Sequence, residues 1–126
     1  TDGDGEVRKL AVWALGQIED PRAAPALARA LQDESPEVRV QAAAALGDMD
    51  LQQAPEGLLA AARDPHPEVR KMVAAALADI EDPASVPALT ILLRDESAEV
   101  RRQALRALGE IGDPKAIPAL EAALSG

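Results

Sequence analysis

The apolar residues of the chain recur with a helical period. In the first predicted helix they fall three or four residues apart, at Val7, Ala11, Ala14, Leu15 and Ile18. This spacing places them on one face of an α-helix, and that face must be buried against another element. A second apolar segment with helical spacing follows after a short turn. The pattern therefore predicts pairs of helices, each helix with one apolar face.

The helix-pair pattern repeats every 31 residues. Glu-Val-Arg recurs at the same register four times, starting at Glu6, Glu37, Glu68 and Glu99. Aspartate recurs at another register, at Asp2, Asp33, Asp64 and Asp95. Self-similarity at a fixed period of this length indicates stacked repeats, because a single pair of helices cannot bury its own apolar faces. We predict one domain over residues 1–126, with repeat phases starting near 6, 37, 68 and 99.

Caps and prolines mark where the helices begin. The first helix of each pair is predicted to start at a capping residue, namely Asp4, Ser35, His66 or Ser97. The second helix follows an Asp-Pro start in three repeats, at Asp20, Asp82 and Asp113. Another proline four residues after each of these prolines predicts a late or bent start. The second repeat has Leu51-Gln52 in place of Asp-Pro, so we expect its second helix to begin late or irregularly.

The repeated pattern is x-Val-Arg-x-x-Ala-x-x-Ala-Leu-Gly-x-Ile-x-Asp-Pro-x-Ala-x-Pro-Ala-Leu. It resembles the short bacterial HEAT repeat of phycobilisome-lyase-like proteins and of artificial consensus HEAT arrays, over essentially the whole chain. The resemblance implies an all-α fold, a right-handed α-solenoid of about eight antiparallel helices in four HEAT-like repeats. It also implies that the Val-Arg helices line the concave face and that their non-scaffold positions contact partners.

Two further registers carry structural expectations. Glycine stands mid-helix in three repeats, at Gly16, Gly47 and Gly109, and we expect it to permit close approach of neighbouring helices. The arginines of Glu-Val-Arg are Arg8, Arg39, Arg70 and Arg101. We expect them to pair with the turn aspartates Asp20, Asp82 and Asp113 or with carbonyls rather than to bind an anion. In the second repeat, Asp50 is the expected substitute partner.

Composition and charge exclude several classes of protein. Trp13 is the only aromatic residue, cysteine is absent, and the formal net charge is −9. An acidic chain of this kind is repelled by nucleic-acid phosphates and by anionic membranes. The longest apolar run, residues 72–78, is far shorter than the roughly 20 residues that span a bilayer. We therefore expect no nucleic acid and no membrane contact in this segment, and the cytoplasm is the favoured location.

No group of residues in the sequence predicts catalysis or cofactor binding. His66 is the single histidine, and its place at a helix start indicates a capping or solvated role. Because Pro67 follows it, the chain lacks the His-Glu pairs with which some HEAT-like enzymes bind two irons. Acidic pairs such as Asp95-Glu96 lack the alternating ligands of a calcium loop. We predict no catalytic residue, no metal, no cofactor and no enzymatic activity.

Positions that vary while the scaffold stays fixed are the candidates for partner binding. On the Val-Arg helices they are Lys9, Leu10, Trp13, Gln17, Gln41, Asp48, Lys71, Met72, Asp79, Arg102, Gln103, Arg106 and Glu110. They predict a mostly basic ridge and a mostly acidic ridge that flank a trough of small residues. Tryptophan and methionine are enriched in interface centres. For Trp13 and Leu10, packing against a neighbouring repeat upstream is an equally weighted alternative.

The sequence thus predicts a non-catalytic protein–protein interaction or scaffold module, cut from a longer bacterial protein, that binds a protein or peptide on its concave face. Two alternatives stay open. One is an accessory or chaperone-like subunit related to phycobilin lyases, although the scarcity of aromatics counts against pigment binding. The other is an artificial consensus repeat protein, against which the irregular second repeat argues.

The two ends of the predicted stack are apolar. We expect Val12 and Leu15 to be open at one end, and Ile117 and Leu120 at the other. Such ends permit head-to-tail self-association, a heterologous contact that does not need to close.

Overall fold

The computed structural model describes residues 4–125. Within this range the chain forms eight α-helices and no strand. The helices are α1 (Gly5–Ile18), α2 (Ala24–Ala30), α3 (Pro36–Gly47), α4 (Glu56–Ala60), α5 (Pro67–Ile80), α6 (Val86–Leu92), α7 (Ala98–Ile111) and α8 (Ile117–Ser125). The odd-numbered helices, which contain the Val-Arg motif, are called the long helices. The predicted all-α repeat solenoid is confirmed.

The helices form two layers that share one core. The long helices pack side by side, α1 on α3, α3 on α5 and α5 on α7, and the short helices α2 and α6 pack on the long helix that follows them. Leucines of one register fill the long-helix side of the core, at Leu46, Leu77 and Leu108. Leucines of a second register fill the short-helix side, at Leu27, Leu58 and Leu89. Each repeat therefore completes the core of its neighbour.

The Asp-Pro segments form 3₁₀ turns before the short helices. These turns span Pro21–Ala23, Pro83–Ser85 and Pro114–Ala116. The aspartate before each proline accepts a hydrogen bond from the backbone N–H two residues later, at 2.9 to 3.0 Å. The second proline then falls in the first turn of the α-helix, where its missing N–H has no intrahelical acceptor in any case. The predicted late start is confirmed.

All four long helices begin at the predicted cap residue, and in two of them the side chain makes the cap bond. The side chains of Asp4 and Ser97 accept hydrogen bonds from N–H groups of the first turn. Ser35 and His66 occupy the N-cap position but make no side-chain cap bond, and the exposed His66 therefore has the solvated role of the two that the sequence left open. The aspartate two residues upstream instead accepts the N–H of Ser35 and of His66, at 2.8 and 2.9 Å, and fixes the entry of the chain.

The second repeat is irregular, as the sequence predicts. After α3 ends at Gly47 the chain makes a turn over residues 48–50 and continues without regular secondary structure to α4, which has only five residues. In the regular repeats the N–H at the register of Ala54 closes the 3₁₀ turn. In the second repeat there is no 3₁₀ turn for the Ala54 N–H to close, and this N–H donates instead to Asp82 Oδ2 of the next repeat at 2.8 Å. The other oxygen of Asp82 accepts from the N–H of Ala84 at 3.0 Å, so one carboxylate serves two repeats.

The mid-helix glycines allow close helix approach, as expected. A Cβ atom built on Gly47 would lie 2.9 Å from Ala76 Cα, and one built on Gly16 would lie 3.0 Å from Ala45 Cβ. A side chain at either position would push two long helices apart. Gly109 occupies the same register in α7, where a Cβ would meet nothing within 4 Å in residues 4–125.

The repeated arginines form an ion-pair ladder along the stack. Each of the first three reaches an aspartate 25 residues later, and the pairs are Arg8–Asp33 (2.8 Å), Arg39–Asp64 (2.8 Å) and Arg70–Asp95 (2.7 Å). Arginine Nη1 also donates to the carbonyl of the aspartate before its own helix in the second, third and fourth repeats, at 2.7 to 2.8 Å. Each arginine of the middle repeats thus joins its own entry loop to that of the next repeat.

The predicted carbonyl partners of the arginines are therefore correct, but the predicted aspartates are wrong. Asp20, Asp82 and Asp113 lie after the C-terminal end of a long helix, whereas each arginine lies in its first turn. A helix of this length separates the two ends by about 15–20 Å. Asp50 likewise does not substitute, because it is exposed at the end of α3 with a φ of 56°.

Two carboxylates of the ladder have shifted pKa values. Burial raises the pKa of the Asp33 carboxyl, but the hydrogen bonds from the Ser35 N–H and from Arg8 outweigh burial and bring the pKa below its usual range. Burial also raises the pKa of Asp95, and the bond from Arg70 leads the effects that lower it overall. Both aspartates are therefore held in the charged form that the arginines need.

The expectation of an open end at Val12 and Leu15 is wrong. Val12 is buried and Leu15 is half-buried, because α3 covers this side of α1. The exposed apolar residues of α1 lie on the opposite side and include Val7 and Ile18. At the other end Ile117 is exposed, as expected, whereas Leu120 is half-buried against the core.

Candidate partner-binding face

One side of the long helices stays open to solvent after both layers have packed. We call it the long-helix face, and it consists of the thirteen candidate residues together with Val40, Ala44 and Ala75. None of these residues is buried, and Leu10 and Trp13 are the most exposed of the large apolar ones. The candidate residues therefore all lie at the surface, in rows that run across successive repeats.

Trp13 borders a hollow between α1 and α3. The hollow has a volume of about 240 Å³ and is lined by Trp13, Gly16, Gln17, Val40, Gln41, Ala44, Ala45 and Asp48. Four candidate residues thus come together here, namely Trp13, Gln17, Gln41 and Asp48. The other four were not among the candidates, although the run of small residues in α3 was a usable signal, because small side chains leave space beside a large one. The indole is 56% exposed at the rim.

The candidate residues of α5 and α7 do not line the Trp13 hollow. In α7, Arg106 forms an ion pair with Glu110 at 3.4 Å and donates to Gln103 Oε1 at 3.1 Å. Pairs at this spacing on an exposed helix stabilise the helix itself by a few tenths of a kcal/mol. The charges of Arg106 and Glu110 therefore partly cancel each other.

The expected basic ridge is largely neutralised. Lys9 Nζ lies 3.0 Å from a Glu6 oxygen, and this contact raises the pKa of the lysine amine. Lys71 Nζ lies 3.4 Å from Glu68 and 3.8 Å from Glu99. These glutamates belong to the repeated Glu-Val-Arg motif. At Lys9 and Lys71 the ridge is consequently a row of paired charges, and Arg102 is its one basic residue without an ion pair within residues 4–125.

The acidic ridge keeps its charge at Asp48 and Asp79, whereas its third carboxylate, Glu110, is paired with Arg106. Asp48 and Asp79 are exposed, and within residues 4–125 neither forms an ion pair with a basic side chain. Asp48 also lines the Trp13 hollow, next to its apolar wall. The surface around the indole therefore combines a small open hollow, lined by both apolar and amide side chains, with uncompensated negative charge.

The described residues contain no candidate metal site. Among residues 4–125, no three His, Cys, Asp or Glu side chains are grouped so that they could hold a metal ion. His66 is exposed at the start of α5. Over the same range no helix has both the length and the apolar character needed to cross a membrane.

Comparison with protein families accounts for the whole chain. A family model for HEAT repeats matches residues 1–65 and again residues 55–126. The chain belongs to the HEAT-repeat family. A sequence search of curated proteins finds no match.

Several solved structures share this HEAT-repeat fold. The complex of CpcE and CpcF of phycocyanin lyase from Nostoc sp. PCC7120 matches 96% of this chain with a TM-score of 0.82 and 30% identity. Human deoxyhypusine hydroxylase in complex with glycerol matches 81% with a TM-score of 0.73 and 32% identity. An engineered protein matches 98% with a TM-score of 0.69 and 28% identity. This chain spans 53%, 36% and 64% of those chains respectively, so it is about half as long as the lyase chain.

Proposed function

We propose that this HEAT-repeat chain is a non-catalytic interaction module that binds a protein or peptide on its long-helix face. The observation that carries the proposal is the Trp13 hollow. A half-exposed indole stands at a register where the other repeats carry Ala44, Ala75 and Arg106. Packing within the stack therefore does not require an aromatic residue at this position. Tryptophan beside a preformed cavity is typical of the residues that dominate binding energy in protein interfaces.

The charges around the hollow indicate the chemistry of the partner. Lys9 and Lys71 already have carboxylate partners, whereas Asp48 and Asp79 lack a basic partner among the described residues. A ligand that fills the hollow with an apolar side chain and places lysine or arginine nearby would satisfy both features. We therefore infer a partner segment that is basic and contains one or two large apolar residues.

Relatives of similar fold support a role in protein association. The phycocyanin lyase structure is a complex of two proteins, CpcE and CpcF. The repeat stack also supplies a rigid surface on which side chains at fixed registers can vary without a change of fold. Both points are consistent with an interaction module.

Selection of peptides from a random displayed library, using this chain as bait, tests the proposal. We expect enrichment of sequences that combine Lys or Arg with a large apolar residue. Trp13→Ala should lower the affinity for such a peptide at least about tenfold, since hot-spot tryptophans contribute more than 1.4 kcal/mol. Asp48→Asn together with Asp79→Asn should give a smaller loss and a weaker dependence on salt.

The matched control is Ile91→Ala. Ile91 is an exposed large apolar residue of the short-helix layer, away from the long-helix face, and its removal should leave the affinity unchanged. Equal effects of Trp13→Ala and Ile91→Ala would show that the binding face is assigned wrongly.

An accessory role related to phycobilin lyases is the second candidate. The fold similarity to the phycocyanin lyase chain favours it. If the long-helix face holds a tetrapyrrole, addition of free bilin to the chain should shift and sharpen its visible absorbance, and Trp13→Ala should reduce the shift. Unchanged absorbance over a full titration would exclude pigment binding by this segment.

A further inference from the structure

The short helices leave a hollow on the side of the stack opposite the long-helix face. We call it the short-helix hollow. It lies between α4 and α6, has a volume of about 280 Å³, and is lined by Arg63 and otherwise only by alanine, proline, leucine and isoleucine side chains. Ala84 lines it at a register where the other repeats carry Arg22, Gln53 and Lys115. The hollow therefore exists because a long side chain is replaced by a methyl group in the third repeat.

Ile91 is the exposed apolar residue at the rim of the short-helix hollow. Its side chain is 49% exposed. The same register holds Arg29 in α2 and Ala60 in α4, and both are exposed although α4 packs between two other short helices. The exposure of Ile91 is thus a property of its register within the stack. A single exposed apolar residue has no special meaning by itself, but here it borders an apolar hollow.

Two arginines without a partner flank the hollow. Arg63 contributes to the lining, at the end of the 3₁₀ turn Ala61–Arg63 that follows α4. Arg94 has the same register in the next repeat, and its N–H donates to the Ile91 carbonyl at 3.2 Å, which keeps it one turn beyond Ile91. Both are exposed, and within residues 4–125 neither side chain forms an ion pair or a hydrogen bond. Their guanidinium groups are available to a ligand.

The carboxylates nearest to these arginines in sequence are used elsewhere. Asp64 and Asp95 directly follow the two arginines, but they accept hydrogen bonds from the ladder arginines of α3 and α5. Glu96 lies 4.0 Å from Arg70 of the ladder, and α6 itself contains no carboxylate. A chain with a net charge of −9 therefore carries positive charge without a counter-charge beside an apolar hollow.

We propose that the short-helix hollow is a second docking surface, which binds an acidic peptide segment through one large apolar side chain. This side chain lies in the hollow against Ile91, and aspartates or glutamates beside it pair with Arg63 and Arg94. Arginine suits the role because its guanidinium group binds a carboxylate through two parallel hydrogen bonds. Opposite charge on the two partners also steers their encounter.

The size and the overall charge favour a peptide over other anionic partners. Small-molecule pockets begin at roughly 300 Å³, so the short-helix hollow fits a single side chain better than a whole ligand. Nucleic acid and anionic membranes present an extended negative surface, which the net charge of −9 repels. A peptide needs to approach only the two arginines and the hollow.

Selection from a random displayed peptide library tests the proposal, with Trp13→Ala as the bait so that the long-helix face contributes least. We expect enrichment of sequences that combine Asp or Glu with one large apolar residue. For the most enriched peptide, fluorescence anisotropy should give an affinity that Ile91→Ala lowers about fivefold and Arg94→Glu lowers at least about tenfold. Added salt should lower the affinity further.

Ile91→Arg separates apolar docking from simple charge attraction. It introduces the residue that the first repeat carries at this register, so the fold tolerates it, and it adds positive charge beside the hollow. The affinity for the acidic peptide should fall, because the apolar contact with Ile91 is lost. Tighter binding would show that net charge alone attracts the peptide, and it would overturn the proposal.

Leu10→Ala and Arg102→Glu are the matched controls. Both residues are exposed on the long-helix face, and Arg102 has no ion pair within residues 4–125. They reproduce the loss of apolar area and the change in net charge on the other side of the stack, and the affinity for the acidic peptide should stay unchanged. The basic peptide of the proposed function responds instead to Trp13→Ala and not to Ile91→Ala, so the two proposals fail independently.

Three results would overturn the proposal. They are a selection that enriches no acidic sequence, equal effects of Arg94→Glu and Arg102→Glu, and a wild-type chain that dimerises in analytical ultracentrifugation with a dimer that Ile91→Arg abolishes. The last result would assign the short-helix hollow to a second copy of this chain. Circular dichroism confirms that each variant is folded before its affinity is interpreted.

Discussion

Arg70 lies where the entry loops of two repeats meet. Its Nε and Nη2 donate to the two oxygens of Asp95 at 2.7 and 3.1 Å, and its Nη1 donates to the Asp64 carbonyl at 2.8 Å. The arginine and aspartate side chains of this pair are only 10% and 9% exposed. Removal of one partner from such a pair leaves the other charge buried and uncompensated.

We expect Arg70→Ala to lower the free energy of unfolding by about 3 kcal/mol. Arg101→Ala at the same register should cost only about 1 kcal/mol, because it removes one hydrogen bond from the guanidinium to the Asp95 carbonyl and no ion pair within the described residues. Urea unfolding of dilute protein measures both values. Equal losses would mean that the ion pair adds nothing to the carbonyl bond.

Ser85 is a second residue with a measurable effect. Its side chain is fully buried, and in the described part of the chain its Oγ has no hydrogen-bond partner. Three other repeats carry alanine at this register. Ser85→Ala should therefore raise the free energy of unfolding by about 1 kcal/mol, because an unsatisfied hydroxyl is removed.

The reverse substitution at the equivalent buried position, Ala116→Ser, is the control and should lower stability. If Ser85→Ala is neutral or destabilising in thermal and urea unfolding, the hydroxyl has an acceptor in solution and the explanation fails.

At the scale of single residues, the sequence predicted that the arginines of Glu-Val-Arg are structural, but it did not predict which aspartates they bind. Their strict 31-residue register required a constant environment. Several aspartate ladders share that period, however, and periodicity alone does not tell which ladder faces Arg39. That depends on the stacking of the loops, which brings Asp64 and not Asp50 to the guanidinium.

At the scale of the helices, glycine sets the distance between neighbours. Gly47→Ala should lower the free energy of unfolding by about 1–3 kcal/mol, because the new methyl group would collide with Ala76 Cα at 2.9 Å and the backbone cannot yield cheaply. Gly109→Ala, at the same register without a neighbour in the described residues, should raise it by up to about 1 kcal/mol through helix propensity.

Both variants can be compared by chemical unfolding at one temperature. A loss of the same size for the two glycines would show that propensity or local flexibility, and not helix approach, determines the effect of the substitution.

The helix pairs themselves were predictable, because caps, prolines and apolar spacing all indicated the same boundaries. The net charge of the long-helix face was not predicted correctly. The ridges were predicted from the candidate positions alone. The pairs of Lys9 with Glu6 and of Lys71 with Glu68 lie three residues apart on one helix and were visible in the sequence, whereas the contact from Lys71 to Glu99 depends on the packing of α5 on α7. The apolar wall of the Trp13 hollow was missed for a similar reason, because Val40 and Ala44 become part of a cavity only when α3 lies beside α1.

At the scale of the whole molecule, the ladder makes stability depend on pH. The pKa values of Asp33 and Asp95 in the folded chain lie below the ordinary value of 3.8, so the unfolded chain binds more protons in acid. The contribution of these carboxylates to stability is complete well above pH 3.8. It is lost as the pH falls through 3.8 toward their lowered pKa values.

Urea unfolding measured from about pH 6 down to about pH 3 should show this decline. Asp95→Asn, which removes one titrating carboxylate, should make the decline shallower while lowering stability at neutral pH. Parallel curves for the two proteins would contradict a role for Asp95 in acid sensitivity.

The bond from the Ala54 N–H to Asp82 restricts how an array of this kind can grow. Tandem duplication of the unit 37–67 would place a second copy of Leu51 at the position of Asp82. The amide of the first irregular unit would then have no carboxylate to bind. Any unit with Asp-Pro at that register can follow the irregular one, but the irregular one cannot follow itself. Duplication of repeats in such an array is therefore restricted, because an irregular repeat must be followed by a repeat that carries Asp-Pro.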